Sequence, residues 1–270
     1  MSLIIRTILT CMAIALADGP APAQTPEERT RLEWVVERGR LLFEVDRAAW
    51  VTTDDLRERA GDHERAGIRG WTVEREGDGY AVVYYSGEGE SRAAVYRARV
   101  QNNRVVSSEV IPEGSRPPLT PFQRRLADAR DAVTGVEIRA CERSGLNLAV
   151  IPPAGPDEPL DLYVLTPQTQ VGVYPFGGHT RATLSPAGEI LSQRYFANTC
   201  ISMDNRPQGE RGRAESLLIT HLLDPIPTEI HVFLSIWMGL PIYVGAGDRL
   251  WEVAGDRIRF VSNIEDAPKP

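Results

Sequence analysis

Residues 71–111 constrain the fold most, because their apolar and polar side chains alternate along four short runs. Alternation with a period of two places one face of each strand against a core and the other toward solvent. Two Gly-x-Gly triplets and the pair Asn102-Asn103 separate the runs, and both residue types adopt the positive φ angles of tight hairpin turns. We therefore predict an antiparallel meander with strands at 71–76, 80–86, 92–101 and 104–111.

A capped helix is predicted before this meander. Thr25 suits the N-cap, Pro26 suits the first helical position, and Glu28 completes a capping box. Apolar residues then recur at helical spacing, which predicts a helix over 26–43 and a second, short helix over 52–59.

The second half of the chain follows the same order. The Pro- and Gly-rich segment 112–118 reads as a linker, and Thr120 with Gln123 forms a second capping box. A helical stripe follows and ends at Gly135. Further strands are predicted at 146–151, 160–165, 181–184 and 189–196. The predicted fold class is α+β, mainly antiparallel sheets with a capped helix before each strand-rich half, divided into domains at 24–118 and 119–270.

Residues 214–262 are the most apolar part of the chain after its N-terminal segment. The two prolines of loop 224–228 predict a hairpin centred on Ile226, in which His221 and His231 lie opposite each other. A strand at 240–244 and a last hairpin around Gly255-Asp256 are predicted to follow. Residues 229–237 also fit helical spacing, so a helix is the alternative interpretation of that segment.

Opposed residues in an antiparallel pair have Cβ atoms roughly 4.5–5.5 Å apart. His221 and His231 could then bind one zinc ion, with His179 as a third ligand. The alternative is structural: both imidazoles form hydrogen bonds within a half-buried sheet, and one residue of register slip separates them. We favour the structural interpretation, and we predict no catalytic residue and no other cofactor.

The N-terminus predicts export. A positive charge at Arg6, a ten-residue apolar run at 8–17 and the small-residue pattern Ala21-Pro22-Ala23 are typical of a signal peptide over 1–23. Its removal leaves Cys141 and Cys200, which we expect to form a disulfide in an oxidising compartment. No second apolar run reaches the ~18 residues of a membrane span, so we expect no stable membrane insertion after cleavage.

The net charge and the motifs that the sequence lacks limit the classes of function to be considered. A formal net charge of −7 argues against nucleic acid as a partner, because phosphate binding requires a basic surface. The sequence has no Gly-x-Ser-x-Gly, no His-Glu-x-x-His and no lysine except Lys269. We predict a non-enzymatic module that binds a protein, a peptide or an envelope component. The alternative is a metal-dependent hydrolase that uses the histidine cluster.

Three segments resemble those of uncharacterised exported proteins from sphingomonad-type alphaproteobacteria: YPFGGH (174–179), THLLDP (220–225) and TEIHVF (228–233). The resemblance extends mostly over residues 121–253. It implies export from a Gram-negative cell, to the periplasm or the medium, and carries over no functional residue.

Overall fold

The structure is a computed structural model that describes residues 24–65, 67–139, 141–142, 145–155, 157–207 and 212–266. The predicted signal peptide, 1–23, lies outside the described residues. The helices are α1 (Pro26–Arg59), α2 (Asp62–Arg65), α3 (Pro121–Asp131) and α4 (Glu229–Met238). No helix in these ranges has both the length and the hydropathy needed to cross a bilayer.

Helix α1 is one continuous helix of 34 residues, so the prediction of two helices at 26–43 and 52–59 is wrong. Its buried stripe continues past residue 43 through Val45, Ala48 and Leu56 at helical spacing. Thr52 is also buried, and its hydroxyl donates to the carbonyl oxygen of Ala48 at 2.7 Å. Because this hydroxyl is satisfied inside the helix, the polar residue does not interrupt α1.

The first sheet is an antiparallel meander in the order β1-β2-β3-β4, as predicted. Asn102 and Asn103 form the last turn with φ angles of 49° and 59°, the left-handed conformation that their short polar side chains tolerate. The strands are β1 (Ile68–Glu76), β2 (Gly79–Ser86), β3 (Ala93–Gln101) and β4 (Arg104–Val110).

The second sheet is also antiparallel, in the order β5-β6-β8-β9, and its strands match the four predicted for this region. Two short strands, β7 and β10, pair separately and were not predicted. The strands are β5 (Asn147–Ile151), β6 (Leu160–Leu165), β7 (Val173–Pro175), β8 (Thr180–Leu184), β9 (Ile190–Tyr195) and β10 (Ser202–Asp204). The capping box at Thr120 begins α3, as predicted.

The third sheet shows that the predicted hairpin centred on Ile226 is wrong. Its strands are β11 (Leu217–His221), β12 (Ile242–Ala246), β13 (Arg249–Ala254) and β14 (Arg257–Asn263). β11 and β12 are parallel, and a parallel pair requires a crossover connection, which α4 provides. The helical alternative for residues 229–237 is therefore correct, and the last hairpin, between β13 and β14, is confirmed.

Helix α1 packs against all three sheets and against α4. One core cluster contains Leu42 from α1, Tyr96 from the first sheet, Tyr163 from the second and Trp251 from the third. The fold class is α+β with mostly antiparallel sheets, as predicted. The domain boundary at residue 118 stays a prediction, and side chains from both sides of it contribute to this cluster.

A single glycine sets the distance between α1 and α4. A Cβ atom on Gly39 would lie 2.5 Å from Val232 Cβ and 2.6 Å from the carbonyl oxygen of Glu229. Any larger side chain at this position would separate the two helices, so Gly39 permits their close packing.

Candidate functional site

His221 and His231 lie in contact, although no hairpin connects them. His221 ends β11 and His231 lies in the first turn of α4. Their ring centroids are 4.9 Å apart, with the ring planes at 83°. The crossover brings the end of a strand and the start of a helix to the same place, so the predicted proximity has a different structural cause.

The partners of the two imidazoles are both local. His221 Nε2 lies 2.8 Å from a carboxylate oxygen of Asp224. His231 Nδ1 accepts the backbone N–H of Thr228 at 2.9 Å and so caps the start of α4. Burial, with a smaller contribution from His221, lowers the pKa of His231 to about 3. His231 is therefore neutral in the folded protein near neutral pH.

His179 occupies a separate, fully enclosed position. Its Nδ1 accepts the backbone N–H of Thr166 at 3.2 Å, and its Nε2 donates to the carbonyl oxygen of Pro175 at 2.9 Å. Burial lowers the pKa of His179 to about 4, against a smaller opposing effect of the Pro175 hydrogen bond. The one lone pair that a neutral imidazole offers a metal is thus already used.

The described residues contain no group of three or more His, Cys, Asp and Glu side chains placed to hold a metal ion. His221 and His231 come together, whereas both nitrogens of His179 bond to the backbone. The zinc hypothesis stays a prediction, and this geometry gives it no support.

The predicted disulfide between Cys141 and Cys200 is present and joins positions 59 residues apart. Gly177-Gly178 packs against it. A Cβ atom on Gly178 would lie 2.6 Å from Cys141 Sγ, and one on Gly177 would lie 2.1 Å from the carbonyl oxygen of Thr199. The glycine pair before His179 therefore serves the packing around the disulfide.

A row of polar side chains crosses the second sheet and was not predicted. Tyr163, Arg181 and Arg194 are register neighbours on β6, β8 and β9. Arg181 Nη1 donates to a Glu229 carboxylate oxygen at 2.5 Å, and the Tyr163 hydroxyl donates to the same oxygen at 3.2 Å. The side chain of Glu229 is only 1% exposed, so this is a buried charge held by two donors.

Asp224 is a second carboxylate beside this row, and its side chain is 9% exposed. Arg194 Nη2 donates to it at 2.7 Å, and Arg31 Nη2 approaches it at 3.3 Å. Burial by itself would raise the pKa of Asp224, but hydrogen bonds from His221 and Arg194 outweigh it and hold that pKa well below its usual range. Asp224 is consequently ionised, and its charge is neutralised within the protein.

These groups line a pocket between the first turns of α1 and the start of α4, which we name the α1–α4 pocket. Its volume is about 680 Å³, within the range of small-molecule sites. Trp34 forms part of one wall and is 38% exposed. The guanidinium groups of Arg38 and Arg181 lie 5.4 and 5.1 Å from its ring centroid. The lining residues are Pro26, Glu27, Thr30, Arg31, Trp34, Val35, Arg181, Arg194, Asp224, Pro227, Thr228 and Glu229.

A larger cleft of about 1040 Å³ lies over the first sheet, but its described lining contains no aromatic side chain and no buried carboxylate. The α1–α4 pocket combines an exposed aromatic ring with buried, hydrogen-bonded charges. Apolar walls with a few fixed polar groups are the usual composition of ligand sites. The α1–α4 pocket is therefore the better candidate.

No protein-family model, curated protein or solved structure matches the chain. The resemblance to exported sphingomonad-type proteins accordingly stays a prediction, and the function is argued from the site alone.

Proposed function

We propose that the protein is an exported binding module, and that its ligand occupies the α1–α4 pocket. The observation that carries this proposal is the exposed Trp34 ring beside two buried, ion-paired carboxylates. Burying ion pairs seldom increases stability, because desolvation offsets the attraction between the charges. Their placement around a pocket therefore supports a role in recognition.

The pocket supports binding over nucleophilic catalysis. Thr228 contributes a hydroxyl that lies 3.0 Å from His231 Nδ1. That nitrogen already accepts the Thr228 backbone N–H, so it has no lone pair free to remove the hydroxyl proton. The Thr228 hydroxyl therefore lacks the activating base that a nucleophile requires. The other hydroxyl of the lining, that of Thr30, donates to the carbonyl oxygen of Pro26 at 3.1 Å.

The partner classes expected from the sequence are a protein, a peptide or an envelope component. A pocket of about 680 Å³ has the size to accept a small molecule, or one projecting group of such a larger partner. The Cys141–Cys200 disulfide supports export to the periplasm or the medium, because such bonds persist in oxidising compartments.

Binding can be tested by calorimetry with naphthalene probes that differ only in their substituent: a carboxylate, a hydroxymethyl or an aminomethyl group. We expect saturable binding of at least one probe, and Trp34→Ala should weaken it by about tenfold or more. Trp50→Ala is the matched control, because Trp50 lies on the same helix, is 55% exposed and does not line the pocket. Absence of binding by every probe, or an equal loss in both variants, contradicts the proposed site.

Export is tested separately by fractionating a Gram-negative host that expresses the full chain. Release by osmotic shock is expected, with a mature N-terminus at Gln24. A full-length product retained in the cytoplasm would overturn this part of the proposal.

A further inference from the structure

We infer that the α1–α4 pocket selects an anionic ligand, one in which a carboxylate or phosphate group is attached to a flat ring. This inference rests on the proposed function, because it names the chemistry of the same site.

The first argument is an excess of hydrogen-bond donors. Arg31, Arg181 and Arg194 line the pocket, and a guanidinium group carries five N–H donors. The carboxylates that receive them are Asp224 and Glu229. The accessible donors are those of Arg31, whose side chain is 57% exposed and lies 3.3 Å from a single acceptor oxygen, on Asp224. An oxygen-rich anion would supply acceptors for the remaining N–H groups of this guanidinium.

The second argument concerns which charges a ligand meets. The lining has as many acidic as basic residues. Glu27 is exposed, but the other two acids, Asp224 and Glu229, have side chains only 9% and 1% exposed. Each also accepts hydrogen bonds from at least two protein donors. The Arg31 side chain, by contrast, is 57% exposed, and among the described residues it is paired with one carboxylate, that of Asp224, at 3.3 Å. A ligand entering the pocket therefore meets one exposed carboxylate, Glu27, and three guanidinium groups, whose side chains are 57% (Arg31), 18% (Arg181) and 25% (Arg194) exposed. This excess of accessible positive charge favours an anion over a cation.

The third argument concerns the apolar part of the ligand. The exposed portion of Trp34 offers a flat aromatic surface, and Pro26, Val35 and Pro227 extend the apolar lining. Indole rings bind other rings through stacked or edge-to-face contacts. A ring that carries an anionic group would contact Trp34 and Arg31 together, since these residues lie three positions apart on α1 and so share one face.

The test compares the affinities of four ligands by calorimetry near neutral pH: 2-naphthoate, 2-naphthyl phosphate, 2-naphthalenemethanol and 2-naphthylmethylammonium. We expect one or both anions to bind about tenfold or more tightly than the neutral alcohol, and the ammonium probe to bind most weakly. The ratio between carboxylate and phosphate identifies which anion fits. Equal affinities for the alcohol and both anions would overturn the inference while leaving the pocket in place. Absence of binding by all four probes would instead overturn the proposed function.

A matched pair of variants locates the anion. Arg31→Gln should reduce the ratio of anion to alcohol affinity to below about threefold. Arg29→Gln removes the same charge from an exposed position on α1 outside the pocket, and should leave the wild-type ratio. A wild-type ratio in Arg31→Gln would overturn the role of Arg31 in anion selection, as would an equal loss in Arg29→Gln.

Discussion

The imidazole rings of His221 and His231 meet edge to face at a centroid distance of 4.9 Å, one at the end of a strand and the other at the start of a helix. Asp224 accepts a hydrogen bond from His221, and Thr228 donates its N–H to His231. The pair therefore fixes the loop that carries the pocket residues between β11 and α4, and makes that loop sensitive to acid.

His231→Gln should reduce the loss of stability on acidification. The pKa of His231 falls from 6.5 to about 3 on folding, so between these values the unfolded chain binds a proton that the folded chain excludes. The contribution of His231 to stability is therefore complete above pH 6.5 and decreases as the pH falls toward 3. Glutamine does not titrate, yet it can accept the Thr228 N–H. Urea unfolding across this range should show that the free energy of unfolding changes less steeply with pH in His231→Gln than in the wild type, by up to about 1.4 kcal/mol per pH unit.

His231→Ala is the companion variant, because it removes both the titration and the cap. It should be less stable than His231→Gln by about 1 kcal/mol at every pH. An unchanged pH slope in His231→Gln would show that this imidazole is not responsible for acid sensitivity.

Gly39→Ala should destabilise the protein, although alanine is favoured over glycine in a helix interior by about 1 kcal/mol. The new methyl group would lie 2.5 Å from Val232 Cβ, which forces α1 and α4 apart. We expect a net loss of about 1–3 kcal/mol in chemical unfolding. Adding Val232→Gly, which also removes the Cβ atom of residue 232, should make the double variant more stable than the sum of the single effects predicts. Strict additivity, or a stabilised Gly39→Ala, would contradict this packing.

Asp46→Asn should stabilise the protein near neutral pH. Burial raises the pKa of Asp46 to about 6, while Asn147 Nδ2 donates to its carboxylate at 2.5 Å. The contribution of Asp46 to stability is thus greatest below pH 3.8 and is lost as the pH rises through about 6. Asparagine keeps the oxygen acceptor without the charge, so we expect a gain on the order of 2 kcal/mol at neutral pH and almost none in acid. Glu33→Gln makes the same kind of change at an exposed position on α1, and an equal gain in that variant would contradict the role given to Asp46.

Gly178→Ala should cost more stability than Gly188→Ala, although both glycines have positive φ angles, of 78° and 86°. The left-handed conformation costs alanine roughly 1–2 kcal/mol at either site. A Cβ atom on Gly188 meets nothing within 4 Å, whereas one on Gly178 would lie 2.5 Å from Thr166 Oγ1 and 2.6 Å from Cys141 Sγ. Thermal unfolding should give Gly178→Ala a free energy of unfolding at least about 1 kcal/mol lower than that of Gly188→Ala. Equal losses would mean that the disulfide region adapts to the added methyl group.

Local patterns predicted the first sheet, the two capped helix starts and the disulfide, because alternation, capping residues and cysteine pairing are each encoded within a short segment. The segment after Ile226 was ambiguous for a physical reason. All seven residues from Glu229 to Ser235 are buried, so the apolar pattern lacks the exposed face that distinguishes a helix from a strand. The parallel pairing of β11 with β12 could not be predicted either, because it depends on long-range contacts.

The candidate site could not be predicted for a related reason. Tyr163, Arg181 and Arg194 become neighbours only through the register of three strands, and Glu229 reaches them only because α4 is a helix. In the sequence alone, Tyr163, Arg181 and Arg194 have the character of solvent-facing strand positions. Glu229 has the character of a helix-capping acid. Their burial results from the coverage that α1 and α4 give to the second sheet.

Because α1 contacts all three sheets, different parts of its surface become covered at different times during synthesis. α1 is the first described element to be made, yet Arg31 contacts Asp224, which lies 193 residues later in the chain. The part of its apolar stripe that packs on α4 and β14 stays uncovered until those elements have been made, whereas the part that packs on the first sheet is covered earlier. Closing such long loops slows folding and leaves apolar surface open to association. The surface of α1 that faces α4 is therefore open to association even after the first sheet has packed on the same helix.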